Sequence, residues 1–442
     1  MGNNLMPSRF NVHTYTDSGE LLVYNSYTGA ILSFSDGEQP EVLAALKDGI
    51  VAQGSSVTAH LLASGILVPA HVDEFMRAKL LYQSSHRTDL MHLIVMPTEA
   101  CNFGCTYCYQ TFPRGKMTPQ TIAGLKQFVD HKARFLQSAS ISWFGGEPLL
   151  APEIIEQLSD SFLQSFARYD VDYSADIATN GYYLTKEMLT KLVKWKITRY
   201  MVTLDGPAIV HDRKRGLRGG GGTFERIFVN LKNARLLDEQ FEIYIRVNFD
   251  EETLSDVPEL VHMLKEHFAG DERFQLLFRP VGRWGGPHDD QLPICSDRTA
   301  NLKIWEFAQL GLDHDMPMAS IVENSMMPGG SVCYAAKPYS LVVGANGQLY
   351  KCTCAFEEED NHVGRLHDDG RVDLDYDKFA KWVSSGDDTD PVCGACYYRP
   401  ACQGNHCPLF RMRTGNRPCS FEKRKIRTAL ETVWQDATRV RR

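Results

Sequence analysis

The chain has 442 residues, of which 43% are hydrophobic and 23% are charged, and its formal net charge is −8 at pH 7. The length predicts about three domains, and the composition is typical of a water-soluble protein. Because a phosphate backbone favours a basic protein face, the negative charge argues against nucleic acid as a partner.

The cysteine count and the lack of long apolar runs predict that the protein is cytoplasmic. No uninterrupted apolar stretch of about 18 residues occurs, so we expect no membrane-spanning helix. The beginning of the chain lacks the apolar run of a secretory signal peptide. A chain of this length can bury a core without disulfides, so its 12 cysteines are expected to be reduced, as in a cytoplasmic protein.

Residues 1–85 are predicted to form a separate domain. Its predicted elements are a strand at Arg9–Thr16, a turn at Asp17-Ser-Gly19, a second strand at Glu20–Phe34, short helices at Pro40–Asp48 and Ser56–Ser64, and the apolar segment Gly65–Pro69. Strands followed by short helices resemble a winged helix, a fold that often binds DNA. Through residue 80, however, four Lys and Arg stand against eight Asp and Glu, a balance of −4. The domain is therefore not expected to bind DNA.

The middle of the chain, residues 86–315, alternates strand and helix patterns. Six apolar runs predict strands, at His92–Pro97, Ser140–Phe144, Tyr173–Ala178, Arg199–Leu204, Glu242–Val247 and Phe274–Arg279. Helical patterns separate them, for example Thr118–Leu136 and Ser255–His267. Six strand–helix units predict an α/β fold, a partial (β/α)6 TIM-like barrel with a parallel, curved sheet. In such barrels the loops after the strand C-termini build the active site.

Three cysteines follow the first predicted strand of this barrel: Cys101, Cys105 and Cys108. Their C-x3-C-x2-C spacing supplies three thiolates to a four-iron cluster and leaves one iron open to a ligand. The run resembles the signature of radical S-adenosylmethionine (radical SAM) enzymes. In that family, the open iron of the 4Fe-4S cluster binds the amino and carboxylate groups of S-adenosyl-L-methionine (SAM). The aromatic residue before the third cysteine, here Tyr107, lies near the adenine.

Motifs after the later strands resemble further SAM contacts of this family. Gly145-Gly-Glu-Pro148 resembles the GGEP motif, whose backbone holds the SAM amino group, and Thr179 and Asn180 resemble contacts to the ribose and the carboxylate. The family's HDxxR pattern implies Arg215 as a carboxylate ligand, with Arg213 as the alternative. The cofactor-binding residues that the resemblance implies are Tyr107, Gly145, Gly146, Glu147, Pro148, Thr179, Asn180, Asp205 and Arg215.

Residues 316–442 carry a second group of cysteines. These are Cys333, Cys352, Cys354, Cys393, Cys396, Cys402, Cys407 and Cys419. The segment looks like a SPASM domain, the iron-sulfur extension of peptide- and protein-modifying radical SAM enzymes, because it matches the G-x4-C and C-x2-C-x5-C patterns. The resemblance implies two auxiliary 4Fe-4S clusters. The implied outer ligands are Cys393, Cys396, Cys402 and Cys419, and the implied inner ligands are Cys333, Cys352 and Cys407.

The cysteine spacing departs from the SPASM pattern in two places. Four residues rather than three separate Cys402 from Cys407, and His406 occupies the position where an unshifted pattern has cysteine. Only eleven residues lie between Cys407 and Cys419, where the family usually has more. Cys354 is the expected fourth inner ligand, and an open iron is the competing possibility. Tetrathiolate zinc uses the same C-x2-C pairs and is the alternative for this region. Cys295 falls outside both sets and is expected to be an ordinary buried cysteine.

The N-terminal domain resembles the precursor-recognition element of peptide-modifying radical SAM enzymes, in which a leader peptide adds a strand to a sheet edge. A purely structural cap is the alternative. Together these resemblances imply a maturase of a ribosomally made peptide, with a precursor peptide and a flavodoxin or ferredoxin reductant as partners. A 5′-deoxyadenosyl radical would abstract a substrate hydrogen, and a thioether, carbon–carbon or carbon–oxygen crosslink would follow. An auxiliary cluster would accept the surplus electron.

Two other functions remain open from the sequence. An anaerobic sulfatase-maturing enzyme, which forms formylglycine, shares the barrel and the cysteine pattern. Members of that group place an aspartate directly after the G-x4-C cysteine, where this chain has Thr353. A non-catalytic zinc scaffold that binds peptides would keep the C-terminal cysteines but leave the motifs of the barrel unexplained.

Overall fold

The computed structural model describes residues 5–51, 54–111, 113–316, 318–384, 386 and 389–439. The chain divides into two compact units. The first, here called the terminal unit, comprises Met1–His86, Ala319–Pro338 and Trp382–Arg442. The second, the barrel unit, comprises Arg87–Met318 and Tyr339–Lys381.

The strands in chain order are β1 (Leu5–Pro7), β2 (Asn11–Tyr15), β3 (Leu21–Asn25), β4 (Ile31–Phe34), β5 (Leu67–Pro69), β6 (Leu90–Thr98), β7 (Ser138–Gly145), β8 (Asp172–Thr179), β9 (Ile197–Thr203), β10 (Glu242–Phe249), β11 (Phe274–Pro280), β12 (Ser340–Val343), β13 (Gln348–Tyr350), β14 (His362–Leu366) and β15 (Val372–Leu374).

The helices are α1 (Gln39–Asp48), α2 (Ser56–Ala63), α3 (Glu74–Ser84), α4 (Pro119–Ala133), α5 (Pro152–Arg168), α6 (Lys186–Lys194), α7 (Ala208–Arg215), α8 (Phe224–Arg235), α9 (Val257–Phe268), α10 (Asp297–Asp313), α11 (Ala319–Met326), α12 (Tyr376–Val383), α13 (Pro391–Gly394), α14 (Arg399–Cys402), α15 (Pro408–Thr414), α16 (Phe421–Arg424) and α17 (Ile426–Arg439).

The barrel unit contains a ten-stranded sheet in the order β11-β10-β9-β8-β7-β6-β12-β13-β14-β15. Strands β6 to β11 are the six predicted strands, and they pair in parallel in chain order. Strand β12 pairs in parallel with β6, and β13 to β15 continue as an antiparallel meander. The predicted α/β fold with a parallel sheet is confirmed.

Alternating burial along β7 separates the two faces of the parallel sheet. Ala139, Ile141 and Trp143 are at most 3% exposed, whereas Ser140 and Ser142 are partly exposed on the opposite face. Because successive side chains of a strand point to opposite faces, the apolar set packs towards the helices and the polar set lines the concave face. Helix α4 begins as predicted, with the Thr118 side chain capping its first turn.

The N-terminal part of the terminal unit contains an antiparallel sheet of order β2-β3-β4 and the separate pair β1–β5. The prediction of a single strand over Glu20–Phe34 was wrong. A turn divides it into β3 and β4, and Gly29 supplies the positive φ of 77° that this turn requires. Strand β3 is fully buried, so its continuous apolar pattern concealed the break that follows.

The C-terminal segment of the terminal unit forms two helices, α16 and α17, with Lys425 between them in a non-helical conformation. Within the part of the chain that the structure describes, no helix combines the length and the apolar character needed to cross a membrane.

Candidate active site and auxiliary cluster sites

The loop with the first three cysteines follows β6 and is fixed by backbone hydrogen bonds. Gly104 donates its N–H to the carbonyl of Gly216 at 2.9 Å. Thr106 donates to the carbonyl of Lys214 at 3.0 Å. The three cysteines, Cys101, Cys105 and Cys108, are all free and partly exposed. The C-terminal end of α7 and the residue after it therefore shape this loop.

Burial makes the thiols of this loop weak acids. Burial raises the pKa of Cys101 to about 12, and its neighbours Cys105 and Cys108 add to the rise. Burial also raises the pKa of Cys105, and the positive charge of Arg215 opposes this rise. Because a metal ligand must be a thiolate, binding of iron would release protons here.

The two glycines of the GGEP motif lie against the backbone of the cysteine loop. A Cβ on Gly146 would overlap the carbonyl oxygen of Ala100 and lie 2.6 Å from that of Glu99. A Cβ on Gly145, whose φ is 131°, would overlap the carbonyl oxygen of Thr98. Only glycine permits this approach, so the motif places the end of β7 directly on the cysteine loop.

Glu147 joins the loop after β7 to the loop after β8. Its Oε1 accepts hydrogen bonds from Thr179 Oγ1 at 2.7 Å and from the N–H of Leu149 at 2.9 Å. Its Oε2 accepts from the N–H of Asn180 at 2.7 Å. The residue is fully buried, and burial raises its pKa to about 7, against the effect of these donors. Pro148, which is also buried, begins the short turn that follows.

A second network connects Tyr107, Asp205 and Arg215. The Tyr107 hydroxyl donates to Asp205 Oδ2 and accepts from Arg215 Nη1 at 2.7 Å. Asn248 donates to the same hydroxyl at 3.1 Å and to Asp205 Oδ1 at 3.1 Å. Burial raises the pKa of both Tyr107 and Asp205. Residues from three strands of the barrel unit or from the segments that follow them, β6, β9 and β10, thus meet in one buried polar cluster.

Arg215 is the predicted arginine that lies in this cluster. It is 8% exposed, and its Nε, 3.9 Å from Asp205 Oδ2, has no hydrogen-bond acceptor among the described residues. A buried donor without an acceptor fits a site for an anionic group such as a carboxylate. Arg213, in contrast, is exposed and lines an open cavity beside Cys105.

The four cysteines assigned to the outer cluster line one cavity in the terminal unit. The cysteines are Cys393, Cys396, Cys402 and Cys419. Arg411 Nη2 lies 3.4 Å from Cys393 Sγ, and Lys423 Nζ lies 3.7 Å from Cys419 Sγ. Donors that face thiolate sulfurs are typical of iron-sulfur sites, so this donor set fits an iron-sulfur cluster.

The cysteines assigned to the inner cluster belong to both units. Cys352 and Cys354 lie in the barrel unit, whereas Cys333 and Cys407 lie in the terminal unit. Asn361 holds Cys352 in place, because its Oδ1 accepts from the N–H of Cys352 at 2.9 Å and its Nδ2 donates to the carbonyl at 2.8 Å. His406 belongs to the terminal unit, where its Nδ1 lies 3.1 Å from Ser331 Oγ. Cys295 is buried, as expected.

Several polar residues that build these sites were not predicted from the sequence. Asn102 accepts a hydrogen bond from Asn180 at 2.9 Å, and His211 Nδ1 accepts from the N–H of Asp205 at 3.2 Å. His211 belongs to the HDxxR pattern, which was the available signal for it. Asn248 and Asn361 stand in no motif, and only the folded chain shows their partners.

A further polar row crosses the concave face of the sheet. Ser142 donates to Asp176 Oδ2 at 2.8 Å, and its Oγ lies 3.0 Å from His92 Nε2. His92 Nδ1 lies 3.1 Å from Ser340 Oγ. Three of these residues were included only in predicted strands. Their alternation with apolar residues along the strands was the signal for a polar interior.

Comparison with protein families and curated proteins gives partial matches. Residues 95–264 match the family described as the Radical SAM superfamily. The AdoMet-dependent heme synthase of Methanosarcina barkeri is 30% identical over 209 residues, 46% of this chain and 54% of that protein. The Fe-coproporphyrin III synthase of the same organism is 28% identical over 171 residues, 38% of this chain and 39% of that protein. The chain thus spans about half the length, or less, of these two relatives.

Two longer matches cover most of the chain. The serine-type anaerobic sulfatase-maturating enzyme of Klebsiella aerogenes is 22% identical over 347 residues, 74% of this chain and 81% of that protein. Among solved structures, native anSMEcpe with bound AdoMet is similar with a TM-score of 0.57 and 17% identity. It covers 79% of this chain and 98% of its own. At this identity the likeness is one of fold.

Proposed function

We propose that this member of the radical SAM superfamily is a maturase that installs an intramolecular crosslink in a ribosomally made precursor peptide. The chain is an enzyme of the radical SAM/SPASM type, with a SAM-binding 4Fe-4S cluster implied by its family. The peptide substrate, the crosslink, the two auxiliary clusters and the flavodoxin or ferredoxin reductant are parts of the proposal. The domain boundaries at 85 and 315 belong to it as well.

In this proposal Cys101, Cys105 and Cys108 hold the cluster that binds SAM. When bound, the cluster and SAM supply a 5′-deoxyadenosyl radical, which removes a hydrogen atom from the peptide. The residues of the chain orient SAM: the unsatisfied Nε of Arg215 offers a donor to an anionic group, and Glu147 fixes Thr179 and Asn180 beside the cysteine loop. The concave, partly exposed polar face of the sheet would receive the peptide segment.

One observation carries the assignment to peptides: the N-terminal sheet module and the four-cysteine cavity belong to the same compact unit. Ser26 Oγ donates to the carbonyl of Tyr397 at 2.5 Å, and Arg9 Nη2 donates to that of Ala395 at 3.4 Å. Both acceptors lie in the loop of the outer cysteines. A recognition module built onto a cluster site is expected of a maturase and is not needed in a zinc scaffold.

The edge of the N-terminal sheet supports leader binding. Strand β4 is the last strand of the order β2-β3-β4, and it pairs with β3 alone among the described residues. An unpaired edge offers backbone N–H and carbonyl groups to an extended peptide. A peptide substrate, as distinct from a leader, is supported by anSMEcpe, which has been solved with a Cp18Cys peptide and has a TM-score of 0.56 to this chain.

The sulfatase-maturing reaction is the second candidate. It is favoured by the 22% identity to the Klebsiella aerogenes enzyme over most of both chains. Against it stands Thr353, which occupies the place of the aspartate that this group has after the G-x4-C cysteine. A threonine hydroxyl cannot serve as a general base near neutral pH, so we place crosslinking first.

The test begins with anaerobic reconstitution of the full chain with iron and sulfide. We expect about twelve irons per chain, from three four-iron clusters, and 5′-deoxyadenosine formation with SAM and dithionite. Short peptides encoded beside the gene are then incubated with the enzyme and examined by mass spectrometry for loss of two hydrogen atoms. A product that instead contains formylglycine would favour the second candidate. A protein that holds zinc and leaves SAM intact would refute both.

A further inference from the structure

The cavity of the outer cysteines has an unusual balance of charge. Its lining includes four basic residues, Arg399, Arg411, Arg417 and Lys423, and no acidic residue among the described residues that line it. One carboxylate, Asp390, binds two of the arginines, and its Oδ2 lies 3.6 Å from Cys393 Sγ. The surroundings of the four thiols are therefore cationic overall.

Two of these cations contact cysteine sulfurs directly. Arg411 Nη2 lies 3.4 Å from Cys393 Sγ and also donates to the carbonyl of Gly404 at 3.1 Å. Lys423 Nζ lies 3.7 Å from Cys419 Sγ. The two contacts involve the first and the last of the four cysteines along the chain, Cys393 and Cys419.

Asp390 holds Arg411 in this position. Its Oδ2 accepts from Arg411 Nη1 at 3.2 Å, and both of its oxygens accept from Arg417 Nε, at 3.0 and 2.8 Å. The side chains of Arg411 and Asp390 are 13% and 11% exposed, so water screens their charges weakly. Asp390 also caps α13, because its Oδ1 accepts from the N–H of Cys393 at 3.3 Å.

We infer that Arg411, Arg417 and Lys423 raise the reduction potential of the outer cluster. The inference rests on the proposed function, because it requires the outer cluster. Reduction adds one electron and makes the cluster with its four thiolates more negative by one charge. Nearby cations and hydrogen bonds to the sulfurs stabilise that added charge and raise the potential.

The experiment is a redox titration of the reconstituted full chain with dithionite and mediators, followed by electron paramagnetic resonance. Lys423→Met removes the cation that faces Cys419, and Lys423→Arg retains a cation. Lys425→Met is the matched control, because Lys425 is exposed and two residues further along the chain. We expect one auxiliary signal to shift to a more negative potential in Lys423→Met and to stay unchanged in the other two proteins.

A second variant protects the test against loss of the cluster. The Arg417 side chain is 47% exposed, and Arg417→Gln removes its charge while Arg411 keeps its bond to Asp390. A negative shift is expected here as well. If the variants that retain full iron titrate at the wild-type potential, the inference is overturned. If wild-type protein shows no auxiliary signal, the proposed function fails instead, so the two failures are distinguishable.

Discussion

Glu147 accepts a hydrogen bond of 2.7 Å at Oε2 from the backbone N–H of Asn180, 33 residues later in the chain. The other carboxylate oxygen accepts from Thr179 Oγ1 at the same distance. The acidic residue of the GGEP motif is thus engaged by the protein itself, at the carboxyl ends of two neighbouring parallel strands. Glu147 thereby holds the loops after β7 and β8 together.

Glu147→Gln is therefore expected to weaken SAM binding. An amide has one acceptor oxygen where the carboxylate has two, so at least one buried donor among Thr179, Asn180 and Leu149 loses its partner. Loss of one buried hydrogen bond costs about 1–3 kcal/mol, which corresponds to a drop in SAM affinity of about 5- to 150-fold. Equilibrium dialysis of reconstituted protein measures it. Glu153→Gln, at a site 57% exposed, is the control and should leave the affinity unchanged.

The same carboxyl group predicts a pH dependence of stability. Burial raises the pKa of Glu147 from 4.5 to about 7. The folded chain therefore holds this proton more tightly than the unfolded chain, and the stabilisation is fully present below about pH 4.5 and is lost as the pH rises through about 7. The free energy of unfolding of wild type relative to Glu147→Gln should fall between about pH 5 and 7, by up to ~1.4 kcal/mol per pH unit. The difference between the two melting temperatures should fall with it. Parallel curves would contradict the buried, protonated carboxyl.

Two glycines near the cysteine loop make a matched pair for substitution. A Cβ on Gly146 would overlap the Ala100 carbonyl, whereas the nearest atom to a Cβ on Gly104 is 3.7 Å away, in the Arg218 side chain. Gly146→Ala is expected to displace the cysteine loop and lower the iron content by about four atoms per chain. Gly104→Ala should retain the iron and the cleavage of SAM. Full iron in Gly146→Ala would show that the loop can adjust to the added methyl group.

The sequence allowed the six parallel strands and the cysteine loop to be predicted because their signals are local. Apolar runs mark each strand, and the spacing of Cys101 to Cys108 is complete within eight residues. The break between β3 and β4 was missed because burial on both faces removes the alternation that marks a strand's end. Asn248 lies 141 residues from Tyr107, and no local pattern indicates that the two side chains meet. Such pairs depend on the sheet's register, which the sequence did not supply.

Tyr107→Phe is expected to disturb the buried cluster around Arg215. The hydroxyl donates to Asp205 and accepts from Arg215 and Asn248, so its removal leaves three buried polar groups with one bond fewer. We expect a loss of about 1–3 kcal/mol in stability and slower 5′-deoxyadenosine formation. Tyr183→Phe is the control, since no hydrogen bond joins the Tyr183 hydroxyl to the described residues of this cluster. Equal effects of both changes on SAM cleavage would argue against a specific role of Tyr107.

Asn361 is expected to be essential for the segment that carries Cys352. Its Oδ1 accepts from the N–H groups of Lys351 and Cys352, both at 2.9 Å, and its Nδ2 donates to the carbonyls of Cys352 and Ala355 at 2.8 and 2.9 Å. The side chain is fully buried, so Asn361→Ala removes four buried hydrogen bonds to the backbone.

We expect Asn361→Ala to lose about four irons while SAM cleavage persists, because the first three cysteines are untouched. Asn346→Ala, which removes one bond to the N–H of Gln348 in a turn of the same meander, should keep all clusters. Iron analysis, electron paramagnetic resonance and the 5′-deoxyadenosine assay on the same preparations separate the outcomes. Loss of SAM cleavage along with the irons would mean that the variant unfolds the barrel rather than one ligand segment, and retention of all irons would remove Cys352 from the proposed ligand set.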